Sequence, residues 1–312
     1  MNNSNLNTQN WLFEPLHPLS IWLKLSVITG ISVGIKSTPT QPSWAVTAAL
    51  FAALFLVPIG YQQVSRNSSG FKMSSDALVW HLPCAVLLAI SFLFDRSSLA
   101  GFFALPYATW CMEVFLRGVK LDRKLTYLTT LTTFGFLANA SLWLLFDRFG
   151  IQPFGFSTWI VILTGVHFHF AGFTLMVCLS LFLYQNPTNK PIKVTILCLI
   201  VGVILTATGI TVTQLGFDHR IETFAGVWMA VSATAAGFIF IKQSFLENNP
   251  TKIMWCIGGI CLVLAMILAC LYALRSIIAL EMLTLPFMQA FHGTLNALGF
   301  GTLVLLGWAF KK

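Results

Sequence analysis

Charged side chains are scarce in this chain of 312 residues. Asp, Glu, Lys and Arg make up only 9% of it, against roughly 25% in soluble domains. Apolar residues reach 57%, and the mean hydropathy is +0.81. A water-soluble fold could not bury so much apolar surface, so a soluble globular protein is excluded. The apolar runs are continuous rather than alternating, which predicts an all-α, polytopic transmembrane helical bundle.

Several motifs are also missing. No Walker A sequence occurs, so ATP hydrolysis by this chain is not expected. The seven cysteines form no Cys-x-x-Cys pair, which predicts buried apolar side chains in the reduced state. Neither paired carboxylates nor a nucleophile–base arrangement is evident, so the sequence does not favour an enzyme. No basic and aromatic patch accompanies the net charge of +8, which therefore predicts a basic cytoplasmic face and no nucleic-acid partner.

Apolar segments near the ~20 residues needed to cross a bilayer follow one another along the chain. Residues 1–18 form a polar N-terminal segment without the basic start of a signal peptide. Residues 19–312 are predicted to form a single transmembrane helical domain. We predict about ten spans, over residues 19–35, 43–61, 76–94, 98–117, 127–146, 157–184, 192–216, 220–243, 252–275 and 283–309.

Basic residues are spread unevenly between the loops. With a cytoplasmic N-terminus, most of the 18 Lys and Arg residues fall on the cytoplasmic side, which predicts that both termini lie there. We expect the lipid bilayer of a bacterial cytoplasmic membrane as the surroundings. The short outer loops carry Asp95-Arg96 and Asp147-Arg148, which indicate local ion pairing at helix ends or a charged vestibule. Short loops also predict that any chemistry takes place within the membrane or at its edge.

Polar side chains inside the spans are the candidate functional residues, because such groups are costly in hydrocarbon. Five of the six candidates named below fall at one expected depth, a slab roughly 10 Å thick in the outer half of the bilayer. The sixth, Glu222, lies at the start of a span at the outer face and could reach toward the others. The candidates for binding a solute or a proton are His167, His169, His292, Asn296, Asn139 and Glu222.

Helical geometry constrains how these residues act together. His167 and His169 point about 200° apart on an α-helix, so they cannot hold one ion without unwinding it. His292 and Asn296 share a helix face and can bind one ligand together. We expect His169 to meet them, because it shares a face with neighbouring glycines, which makes His169 and His292 the candidate metal ligands. Each histidine could instead hydrogen-bond a neighbouring helix.

Two segments resemble those of a known family. Residues 167–173 read His-Phe-His-Phe-Ala-Gly-Phe, and residues 292–300 read His-Gly-Thr-Leu-Asn-Ala-Leu-Gly-Phe. Both are similar to segments of the YndJ-like family of bacterial multi-pass membrane proteins. The resemblance points to His167, His169, His292 and Asn296, and it implies little about function, because the family is sometimes labelled a transporter without a known substrate.

The His-Phe-His segment is also similar to one in the haem-copper oxidase catalytic subunit, where two histidines of one helix ligate different haems. This chain lacks that family's His-Pro-Glu-Val segment and His-His pair, which argues against a copper centre. Four hypotheses remain open. They are a secondary transporter of a small solute, a haem or metal protein for electron transfer or sensing, a membrane enzyme acting on a lipid or quinone, and a structural or accessory membrane protein.

Overall fold

The protein is a bundle of helices in a computed structural model that describes residues 43–67, 75–119, 125–278 and 280–311. The polar segment 1–18 and the predicted span 19–35 lie outside the described residues. Nine helices, α1 to α9 in chain order, occupy the described part, and no strand accompanies them there. They are Trp44–Asn67, Ser75–Ser91, Ser98–Val119, Leu125–Phe149, Thr158–Gln185, Lys190–Gln214, Arg220–Ser244, Thr251–Ala273 and Leu285–Phe310.

Eight of these nine helices are long and apolar enough to cross a membrane. The exception is α2, whose apolar part covers only Ala77–Ser91. The nine described helices coincide with the predicted spans from 43–61 onward, which confirms the all-α membrane-helix architecture. The placement of both termini in the cytoplasm stays a prediction.

Three helices contain π-helical turns, in which the backbone is wider than in an α-helix. One lies in α1 over Ala52–Leu56, one in α5 over Phe168–Thr174, and α9 has two, Gln289–Gly293 and Leu295–Thr302. Such turns are rare and occur frequently at functional sites. Here the turns of α5 and α9 contain or adjoin the intramembrane histidines of the sequence motifs.

Aromatic side chains of α5, α7, α8 and α9 form the core at one end of the bundle. The ring of Phe182 lies 4.9 Å from that of Trp255 and 4.7 Å from that of Trp308, measured between centroids. Lys311 lies at the same end of the bundle, where its Nζ atom contacts Glu247 at 2.6 Å and Gln185 at 3.0 Å. These contacts join the C-terminal end of α9 to the helix ends beside it.

A buried ion network fastens α2, α3 and α4 together at the other end. The Asp147 carboxylate binds Arg96 Nε at 2.9 Å and an Arg148 guanidinium nitrogen at 2.6 Å. Arg148 also donates to the backbone carbonyls of Ser91 and Phe94. Arg96 thus pairs with a residue 51 positions away in sequence and not with the neighbouring Asp95. The expected local pairing does hold for Asp147 with Arg148 and for Asp218 with Arg220.

Candidate functional site

His169 is held entirely inside the protein. Its Nδ1 atom lies 2.8 Å from the Gly165 carbonyl oxygen, and its Nε2 atom lies 2.9 Å from the Tyr107 hydroxyl on α3. Only a donor can sit that close to a carbonyl oxygen, so Nδ1 carries the proton and Nε2 accepts from Tyr107. With both nitrogens occupied and no exposed surface, His169 has no lone pair to offer a ligand.

His167 leaves the same helix on the opposite side. Its Nδ1 atom donates to the Leu163 carbonyl oxygen at 2.8 Å, which leaves Nε2 as an acceptor. No partner for Nε2 occurs among the residues that the structure describes, and the side chain is exposed on the bundle. The predicted divergence of the two histidines is confirmed, since they contact different helices.

The His292 ring of α9 lies beside His167, and Asn296 of the same helix bonds to His292. The ring centroids of His167 and His292 are 6.4 Å apart, with the planes inclined by 29°. His292 Nδ1 donates to the Ala265 carbonyl oxygen of α8 at 2.9 Å, and its Nε2 atom lies 3.2 Å from the Asn296 amide nitrogen. The predicted shared face of His292 and Asn296 is confirmed. We call His167, His292 and Asn296 the α5–α9 site.

The expectation that His169 would meet His292 is wrong. His169 bonds to Tyr107, and His167 is the histidine beside His292. The proposed metal pair of His169 and His292 is therefore not brought together. Within the described ranges, no three His, Cys, Asp or Glu side chains converge in a way that could hold a metal ion.

Asn139 lies elsewhere, on an outward-facing groove. The groove runs between α4 and α6, and Phe168 of α5 and Phe115 of α3 also line it. Asn139 shares none of the hydrogen bonds of the three histidines in the described part of the chain. Its expected depth agrees with theirs, but it faces a different surface.

Glu222 also stands apart from the histidines. Its carboxylate binds Arg275 at 3.0 Å, near the start of α7. Arg275 lies over the Tyr272 ring, 3.9 Å from the centroid, and donates to the Tyr272 carbonyl oxygen. These contacts hold Glu222 at the end of α7 and α8, away from the α5–α9 site.

The glycines beside the histidines serve close packing. A Cβ atom added to Gly293 would lie 2.4 Å from the Trp44 ring, and one added to Gly172 would lie 2.8 Å from Phe136. Neighbouring side chains thus fill the space that these glycines leave, as is common where membrane helices approach closely. The glycines do not outline a cavity.

Tyr107 is the residue of this region that sequence reasoning missed. It is fully buried between two histidines, bonded to His169 and with its ring 6.0 Å from that of His81. Its one available signal is rarity, because the chain has only five tyrosines and this one lies in the middle of an apolar span. No motif links it to the histidine segment.

Comparison with known protein families finds a match over most of the chain. The model of a family described as YndJ-like protein matches residues 47–300. No curated protein and no solved structure matches the chain. The matched range includes both histidine segments and most of the helices described above.

Proposed function

This chain belongs to the YndJ-like family, and we propose that it is a multi-pass protein of a bacterial cytoplasmic membrane that carries a small polar solute past the α5–α9 site. The proposal includes a bilayer orientation with both termini in the cytoplasm, as the distribution of basic residues favours. His167 would contact the solute directly, and His292 and Asn296, which bond to each other, would line its path.

The unpartnered Nε2 atom of His167 carries the proposal. It is a lone-pair acceptor on a helix that is apolar enough to cross a membrane. Leaving a polar group without a hydrogen bond in hydrocarbon is unfavourable. A polar solute or water at this position would supply the missing hydrogen, and the His292 ring, to which Asn296 bonds, lies beside it.

The short connections between helices favour transport through the bundle over chemistry in a separate attached domain. Residues 186–189 join α5 to α6, residues 215–219 join α6 to α7, and residues 245–250 join α7 to α8. None of these segments is long enough to form a domain of its own. A solute would therefore bind at the polar groups within the bundle.

His169 has a different role in this proposal. Its two ring nitrogens are satisfied by Gly165 and Tyr107, so we assign it to holding the π-helical turn of α5. This π-helical turn orients His167 toward α9. The haem and metal alternatives have no specific observation in their favour.

Transport assays on proteoliposomes test the proposal. Solid-supported-membrane currents would be recorded against a panel of ammonium, amino-acid and sugar solutes, with the wild-type protein and with His167→Ala and His292→Ala. We expect a response to at least one solute class that both substitutions abolish without lowering the amount of reconstituted protein. His219→Ala is the matched control, because this histidine is half exposed near the outer end of α7. A response that survives both site substitutions contradicts the assignment.

A further inference from the structure

The groove between α4 and α6 has the composition of a site for an apolar molecule. It has a volume of about 500 Å³ and opens on the outer surface of helices that are apolar enough to cross a membrane. Its surroundings are therefore lipid rather than water. The lining consists of Phe115, Leu131, Thr132, Gly135, Phe136, Asn139, Phe168, Ile200, Val203, Ile204, Ala207 and Thr208.

The side chains of Asn139 and Thr208 in this lining are available to a ligand, whereas that of Thr132 is not. The Thr132 hydroxyl donates to the carbonyls of its own helix, at 2.8 Å to Leu128 and 3.1 Å to Thr129. Asn139 and Thr208 have no hydrogen-bond partner in the described ranges of the chain. Both can donate a hydrogen bond, Asn139 from its amide nitrogen and Thr208 from its hydroxyl.

The depth of Asn139 restricts the kind of molecule that fits. At ~1.5 Å per residue, it lies roughly 15 Å from either end of the span Leu128–Phe149. The hydrocarbon core of a bilayer is about 30 Å thick, so this amide lies near its middle. Phospholipid head groups and ester carbonyls lie at the edges of that core. A ligand of Asn139 needs an acceptor group that itself resides in hydrocarbon.

We propose that this groove binds a prenylated quinone. The ring carbonyls are acceptors that match the Asn139 amide and the Thr208 hydroxyl. The ring faces the aromatic side chains of Phe136 and Phe168, and the prenyl tail follows the aliphatic surface of α6. This site is independent of the α5–α9 site, and either one stands if the other fails. The proposal concerns binding alone.

Photolabelling of the purified protein in phospholipid nanodiscs tests it. An azidoquinone is expected to label peptides of α4 and α6, and decylubiquinone is expected to compete with it. Asn139→Leu and Thr208→Val should each weaken the affinity for decylubiquinone about two- to tenfold, the equivalent of one hydrogen bond. Gly135→Leu should block binding, because a Cβ atom there already lies 3.3 Å from the Phe115 ring and the rest of the side chain occupies the groove.

Thr234→Val is the matched control. Thr234 lines a second, smaller apolar groove between α7 and α8, and its replacement should leave the affinity unchanged. Thr208 is exposed on α6, so Thr208→Val decides the matter if Asn139→Leu does not fold. Equal labelling of all outward-facing helices, or unchanged affinity in folded Thr208→Val and Gly135→Leu proteins, overturns the proposal. Competition by added phospholipid as effective as that by decylubiquinone also overturns it.

Discussion

Replacing Asp147 by Asn should destabilise the protein more than any other change of one charged side chain among the ion pairs described above. The Asp147 carboxylate is fully buried and lies between two guanidinium groups, at 2.9 Å from Arg96 and 2.6 Å from Arg148. The substitution keeps the shape of the side chain but removes its negative charge. Two buried or half-buried cations then face each other across a neutral amide.

The expected magnitude follows from the burial of the pair. Removing one partner of a buried ion pair costs about 3–5 kcal/mol of unfolding free energy, because the other charge is left uncompensated. At roughly 2–4 °C per kcal/mol, the figure for chains of 150–250 residues, the melting temperature should fall by about 6–20 °C. Arg148→Lys should act in the same direction, since an ammonium cannot reproduce the bonds of Arg148 to Asp147, Ser91 and Phe94.

Thermal unfolding in detergent, followed by size-exclusion chromatography of heated samples, measures the effect. Glu222→Gln is the matched control, because Glu222 and Arg275 form a pair whose side chains are 21% and 36% exposed. Partly exposed pairs contribute about 0–1 kcal/mol, so this variant should melt within about 4 °C of the wild type. Equal melting temperatures for Asp147→Asn and Glu222→Gln would refute the reasoning that burial sets the cost.

Two further predictions concern packing around the histidines. Tyr107→Phe leaves the buried Nε2 lone pair of His169 without its donor, and the unfolding free energy should fall by about 1–3 kcal/mol; an unchanged melting temperature would show that the bond contributes nothing. Gly293→Ala places a Cβ atom 2.4 Å from the Trp44 ring and should cost about 1–3 kcal/mol. Gly118→Ala is its control, because the nearest atom is 4.0 Å away, and it should be neutral or stabilising in the same thermal assay; equal losses in both variants would contradict the packing argument.

The helices could be predicted from the sequence because hydrocarbon imposes a simple rule on the chain. Every backbone polar group inside it must be bonded, so long apolar runs become helices whatever their neighbours are. The partners of charged side chains follow no such local rule. Arg96 adjoins Asp95 in sequence but binds Asp147 in the structure, since the packing of α2 and α3 against α4 decides which carboxylate is near. Pairings of this kind depend on tertiary structure.

The candidate site shows the same division between local and tertiary information. The opposite directions of His167 and His169 follow from helical geometry, and the structure confirms them. The expectation that His169 meets His292 rests on the glycines that share its helix face. Those positions are filled instead, as Gly172 is by Phe136, and the lone pair of His169 is taken by a tyrosine from another helix. A histidine is available for ligand binding when its second nitrogen lacks a partner, and in the described part of the α5 motif that condition holds for His167.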